Sequence, residues 1–151
     1  MTNSTILQAK EIQLLAGKFL YEEAANPYTD VEEWKEVQEH LNTCIETLLK
    51  QEGSTPEEEG EIVLAVLMGY SVAVRKRKNI AIAMERANQV LPLLQDAVLK
   101  CRLAIFCYGE CYDDKLASMA HLLIEEQKVL GDKQMAEGLE DLLICMEGSY
   151  M

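Results

Sequence analysis

The sequence predicts an all-α fold: a compact bundle of about six or seven helices with two central buried helices, in a single domain over residues 1–151. Three observations carry that expectation. Apolar residues recur at three- and four-residue spacing along nearly the whole chain, the period of a helix with one face toward a core. Residues that start and stop helices fall between those stretches. No stretch alternates apolar and polar residues convincingly over strand length, and even Ile80 to Ala87 reads better as helix among its helical neighbours.

Taken in order, Ile12, Leu15, Ala16, Phe19 and Leu20 give a first helix its stripe, and Asn26-Pro27 ends it. Thr29 or Asp30 caps a second, with Glu32 or Glu33 closing a capping box and Trp34, Val37, Leu41, Ile45 and Leu48 on the inner face. Gly53 ends that helix. The next start is the clearest in the chain: in "GSTPEEEGE", Thr55 fits the N-cap, Pro56 the first helical position, and Glu58 the third position of a capping box. The carboxylates of Glu57, Glu58 and Glu59 also suit the positive end of the helix dipole. The run from Ile62 to Val74 is apolar nearly all round and is expected at the buried centre. After Arg75-Lys76-Arg77-Lys78, Asn79 restarts a fourth helix through Met84, Ala87 and Leu91, with a break expected at Pro92. A fifth, largely apolar helix carries Val98 to Tyr108, and Gly109 near its end, followed by Asp113 and Asp114 as a cap, predicts a tight turn into the sixth. Leu116, Ala120 and Leu123 line the sixth. Past Gly131-Asp132, the residues Met135, Leu139, Leu142, Leu143 and Met146 line the seventh.

Apolar residues make up 49% and charged residues 26% of the 151, enough to bury a core without disulfides or metals. The net charge of −12 is uneven: −10 over residues 1–62, +4 over 63–112 and −6 over 113–151. Phosphate binding rests on Lys and Arg, so so acidic a surface argues against direct nucleic-acid binding and favours a basic protein surface as partner. No run of 18 apolar residues predicts a membrane helix, and the N-terminus lacks the basic start and apolar run of a signal peptide. Five cysteines, an odd number, fit reduced thiols in a cytoplasmic protein.

Four features could carry chemistry. Cys101, Cys107 and Cys111 precede His121, and Cys107, Cys111 and His121 could supply three ligands across a helical hairpin, as in a thiol- or zinc-dependent protein. Against this, there is no C-x-x-C pair, a structural zinc site wants four ligands, and free cysteine in an apolar helix behaves as a small hydrophobe. The "PEEEGE" carboxylates are explained by capping and dipole chemistry, and neither histidine sits in a Glu-x-x-His di-iron motif. Arg75 to Lys78 could touch phosphates or merely neutralise a helix C-terminus. No phosphate-cradling glycine loop or nucleophile elbow is present. The residues therefore point to a binder of proteins rather than an enzyme, with no cofactor, metal or catalytic residue expected.

Two segments, "GSTPEEEGEIVLAVLMGYS" and "LLQDAVLKCRLAIFCYGECYDDKLASMAH", resemble the UpxZ family of capsule-bearing gut bacteria. The family pattern has Gly-Asn-Thr-Pro-Glu-Glu-Glu, Leu-Met-Gly-Tyr, then Leu-Leu-Lys-x-Arg-Leu leading to Cys-Tyr-Gly-Glu and an acidic pair. It is met here at Gly53 to Glu59, Leu67 to Tyr70, Lys100 to Leu103, Cys107 to Glu110 and Asp113-Asp114, with Ser54 in place of the Asn. Cys101 and Cys111 stand where the pattern has aliphatic residues. The resemblance implies antagonism of a NusG-like antitermination factor (UpxY type), alone or in its complex with RNA polymerase, so that non-cognate capsular polysaccharide operons are repressed. It also implies candidate partner-contact residues within the two segments: Glu57, Glu59, Tyr70, Lys100, Arg102, Tyr108 and Glu110. Each has a structural alternative, in helix capping for the glutamates, core packing for the tyrosines and ion pairing for the cations.

Overall fold

The computed structural model describes residues 2–21 and 31–149. Every regular element among them is helical: α1 (Thr2–Tyr21), α2 (Val31–Leu49), α3 (Pro56–Tyr70), α4 (Arg77–Val90), a 3₁₀ turn (Leu91–Leu93), α5 (Ala97–Cys111), α6 (Asp114–Leu130) and α7 (Lys133–Ser149). The chain divides into two compact units, Met1–Val90 and Leu91–Met151. The two apolar helices expected from the sequence fall one in each, as α3 and α5. The stop at Asn26-Pro27, the cap at Thr29 or Asp30, and the inward placement of Phe19, Leu20 and Trp34 lie outside the described residues and side chains.

In the first unit α3 packs against α1, α2 and α4. Eleven of its fifteen residues are buried, including every one from Ile62 to Tyr70, which is why the segment shows no polar face. Ile12 and Ala16 of α1 and Leu41, Ile45 and Leu48 of α2 are turned inward as their spacing predicts, Leu15 and Val37 are half-buried, and Ala9 joins the core. Each such Leu or Ile removed from water contributes roughly 1.5–3 kcal/mol. At Gly69, α3 leaves no room for a side chain against these two helices. A Cβ there would lie 2.5 Å from Ile45 Cδ1 and 3.3 Å from Ile12 Cγ2. Gln13, buried on α1, donates from Nε2 to the Glu61 carbonyl (3.2 Å) and carboxylate (3.0 Å), and Lys10 reaches the same carboxylate at 2.8 Å.

Helix α3 ends at Tyr70, four residues before the sequence expectation of Val74. Its chain turns because the Gly69 carbonyl accepts from both Val72 N (3.1 Å) and Ala73 N (2.8 Å), while Ser71 Oγ donates to Leu67 O. Gln38 of α2 then takes the Val72 carbonyl at 3.1 Å, a tertiary capture that helical spacing cannot reveal. Arg75 donates to the Tyr70 carbonyl (3.3 Å), so one cation of the basic run does serve a helix C-terminus. Helix α4 resumes at Arg77, two residues before the expected restart.

In the second unit α5 packs against α6, α7 and the 3₁₀ turn that holds Pro92. Asp96, a cap not singled out from sequence, accepts from Val98 N (3.0 Å) and Leu99 N (3.1 Å). Eight of the fifteen α5 residues are buried, among them Cys101, Leu103, Ile105, Phe106 and Cys107. The tight turn expected between Gly109 and the Asp113 cap falls at Tyr112. Gly109 stays helical, and the left-handed residue is Tyr112 (φ 54°, ψ 34°), whose N–H closes on Tyr108 O at 2.7 Å. Gly109 is instead a close-approach site, since a Cβ would sit 2.8 Å from Met146 Sδ of α7. Asp113 caps α6 through Lys115 N (2.9 Å). His121 with Glu147 (3.2 Å) and Lys128 with Glu140 (2.8 Å) fix α6 and α7 as an antiparallel hairpin with its tip at Gly131-Asp132. The inward residues are Leu116, Ala117, Ala120 and Ile124 on α6 and Ala136, Leu139 and Leu143 on α7. Ile124 and Ala136 thus take the places expected of Leu123 and Met135.

Candidate functional site

The signature around Thr55 is held by a polar clamp. Thr55 Oγ1 accepts from Glu58 N at 3.1 Å, as an N-cap should. Glu58, only 7% exposed, does not return to the cap's own N–H: its carboxylate accepts from Ser54 N (3.2 Å) and Ser54 Oγ (3.3 Å), one residue earlier. Glu59 accepts from Gly53 N at 2.9 Å and receives the Arg86 guanidinium on both oxygens, each at 2.7 Å. The same guanidinium donates to the carbonyls of Leu49 (2.9 Å) and Gln51 (2.7 Å), tying the end of α2 to the start of α3. Burial alone would raise the Glu59 carboxyl, but the bonds from Arg86 and Gly53 and the Arg86 charge hold it below the usual glutamate range. Gly53 is required here because a Cβ would fall 2.2 Å from Glu59 N. Arg86 was not among the residues singled out from sequence. Its only sequence signal is a lone cation on the half of α4 after Asn79.

The seven candidate contact residues divide by unit. Glu57 and Glu59 lie in the first turn of α3, half-buried, and Tyr70 ends the same helix, roughly 20 Å away at 1.5 Å per residue. Tyr70 is 1% exposed and its hydroxyl accepts from Asn79 Nδ2 at 2.8 Å, so it packs the interior and steadies the start of α4. On α5, Lys100, Arg102 and Glu110 are half-buried, while Tyr108 is 4% exposed. Tyr108 meets the Tyr112 ring edge to face at 5.7 Å between centroids. Neither group gathers into one cluster. The glutamate pair is built into the helix start, and both tyrosines serve packing.

The core-packing reading of the cysteines holds for Cys101 and Cys107, whereas Cys111 is exposed. Cys101 and Cys107 are fully buried, and burial pushes each thiol up to about 12. Cys101 donates to Ala120 O and Cys111 to Cys107 O, and His121 turns to Glu147. Cys107, Cys111 and His121 therefore do not converge as ligands. A thiol so far above neutrality holds almost no thiolate for nucleophilic work. Among the described residues no three His, Cys, Asp or Glu side chains are placed to hold a metal ion. A groove of about 320 Å³ between α1 and α2 contains Glu11, His40 and Cys44. Burial there, with Glu11 nearby, raises the Cys44 thiol. Arg75 to Lys78 are exposed, and Lys76 is paired with Glu46. No helix among the described residues is long and apolar enough to cross a membrane.

The sequence model of the UpxZ family of transcription anti-terminator antagonists matches residues 9–109, from the first turns of α1 to Gly109 of α5. No curated protein matches the chain. Among solved structures, it is similar to the 1.68 Å crystal structure of a transcription anti-terminator antagonist UpxZ from Bacteroides uniformis ATCC 8492. The TM-score is 0.82 and the identity 25%, over 97% of this chain and 94% of that one.

Proposed function

The chain belongs to the UpxZ family of transcription anti-terminator antagonists, and from that premise we propose that it works by binding a NusG-like antitermination factor of the UpxY type. It meets the factor alone or in its complex with RNA polymerase, in the cytoplasm, and represses non-cognate capsular polysaccharide operons. The family match over two-thirds of the chain carries this reading. The physics supports it: a net charge of −12 steers the protein toward a basic surface, raising association rate and helping reject wrong partners. The protein is a regulator with no reaction of its own, and the buried, protonated Cys101 and Cys107 agree with that role. The partner meets Glu57, Lys100, Arg102 and Glu110, which keep part of their surface open, while Tyr70 and Tyr108 act through packing. The test is a pull-down of purified NusG-like antiterminators from several capsule loci, followed by a transcription-elongation assay. Capture of at least one, with loss of its antitermination activity, is expected. Folded protein that captures none of them refutes the reading.

A further inference from the structure

The α6–α7 hairpin leaves apolar residues outside its core. Its inward face is complete with Leu116, Ala120, Ile124, Ala136, Leu139 and Leu143. Yet Leu122 is 67%, Val129 82% and Leu130 83% exposed on α6, and Met135 is 44% exposed in the first turn of α7. Leu122 and Val129 are seven residues apart and so share one line along the helix, roughly 10 Å long. Leu130 ends α6 and Met135 lies in the first turn of α7, so the two flank the tip. Exposed Glu125 and Glu126 stand between Leu122 and Val129 on the same face of α6, Asp132, Glu137 and Asp141 are exposed at the tip and on α7 beside Lys133, and residues 113–151 carry net −6. Four highly exposed apolar side chains interspersed with and bordered by carboxylates fit a protein-binding surface better than a solvated helix face.

The sign of the rim selects the occupant. Nucleic acid and anionic lipid surfaces are repelled by the carboxylates. A second copy docking the same patch two-fold would set acidic rim against acidic rim. A protein surface with an apolar socket bordered by Lys and Arg satisfies both parts. We propose that the hairpin tip, through Leu122, Val129, Leu130 and Met135, anchors the chain on such a basic surface of the antitermination factor, an inference that rests on the function proposed above.

The experiment measures binding of full-length protein to the antiterminator captured in the pull-down, by surface plasmon resonance at two salt concentrations. Val129→Gln/Leu130→Gln keeps helix formers at exposed positions, so its circular dichroism and melting temperature should match the parent. Its affinity should fall about 10- to 100-fold, the loss expected of central apolar anchors. Glu126→Lys/Glu137→Lys should slow association several-fold, most at low salt, with little change in dissociation. Leu122→Gln supplies a second apolar test should the double variant not fold. Folded apolar variants that bind within twofold of the parent overturn the hairpin assignment and leave the function reading standing. A parent that self-associates through the patch, with antiterminator binding unaffected by the variants, also overturns it. A parent that binds no antiterminator removes both.

Discussion

Arg86 is the residue whose replacement should most damage the helix start at Thr55. Its guanidinium makes four hydrogen bonds, two to Glu59 and one each to the Leu49 and Gln51 carbonyls, all between 2.7 and 2.9 Å. The side chains are 16% and 20% exposed, so the pair is neither fully buried nor freely screened. Arg86→Met keeps most of the stem but leaves a half-buried carboxylate with Gly53 N and two backbone carbonyls without their cation. Breaking a fully buried pair costs about 3–5 kcal/mol and an exposed one under about 1 kcal/mol, which places this change near 2–3 kcal/mol. Urea unfolding followed by far-ultraviolet circular dichroism measures it. Adding Glu59→Gln to Arg86→Met should recover part of the loss, because the stranded charge is then gone. The effect also depends on pH. Glu59 titrates lower in the fold than in the open chain, so its contribution is complete above the ordinary glutamate range and disappears as pH falls through the folded value. Arg86→Met should flatten that part of the acid-unfolding profile. A loss below about 0.5 kcal/mol, the ordinary scale of a surface change, would show that the clamp contributes nothing beyond a surface pair.

Gly69→Ala should destabilise the protein by about 1–3 kcal/mol in the same urea assay, because the new Cβ meets Ile45 of α2 and Ile12 of α1; an unchanged midpoint would refute the close-approach account. Iodoacetamide at neutral pH should modify exposed Cys111 and Cys145 quickly and leave Cys101 and Cys107 unreacted until urea opens the fold, as peptide mass mapping would show. Comparable labelling of all four in native protein would contradict the burial. The single-domain proposal for residues 1–151 predicts one calorimetric transition whose measured enthalpy equals the van't Hoff value, and two resolved transitions would reject it.

Legibility from sequence followed the range of the interaction. The Thr55 cap, the apolar course of α3 and α5, and the inward stripes of α1 and α2 were readable because they repeat within one or two helical turns. The stop at Tyr70 was not, since the turn after it is held both by local bonds to the Gly69 carbonyl and by Gln38 reaching the Val72 carbonyl from 34 positions away. The packing role of Gly109 was hidden for a related reason. Glycine ends many helices, yet here it admits Met146 from α7, and Tyr112 takes the left-handed position instead. In the candidate site, Glu57, Glu58 and Glu59 were legible as a helix start, whereas the Arg86 partner 27 residues from Glu59 was not.

The sequence by itself determined an all-helical, acidic chain of the UpxZ family, because composition, periodicity and ordered motifs are properties of near neighbours along the chain. Only the tertiary structure decided that Tyr70 and Tyr108 pack inward and that Cys107 is shut off from solvent and from His121. It also decided that Leu122, Val129 and Leu130 are left outside. Burial is a property of what lies across the gap, and a helical stripe records which residues share a face without recording which face finds a neighbour.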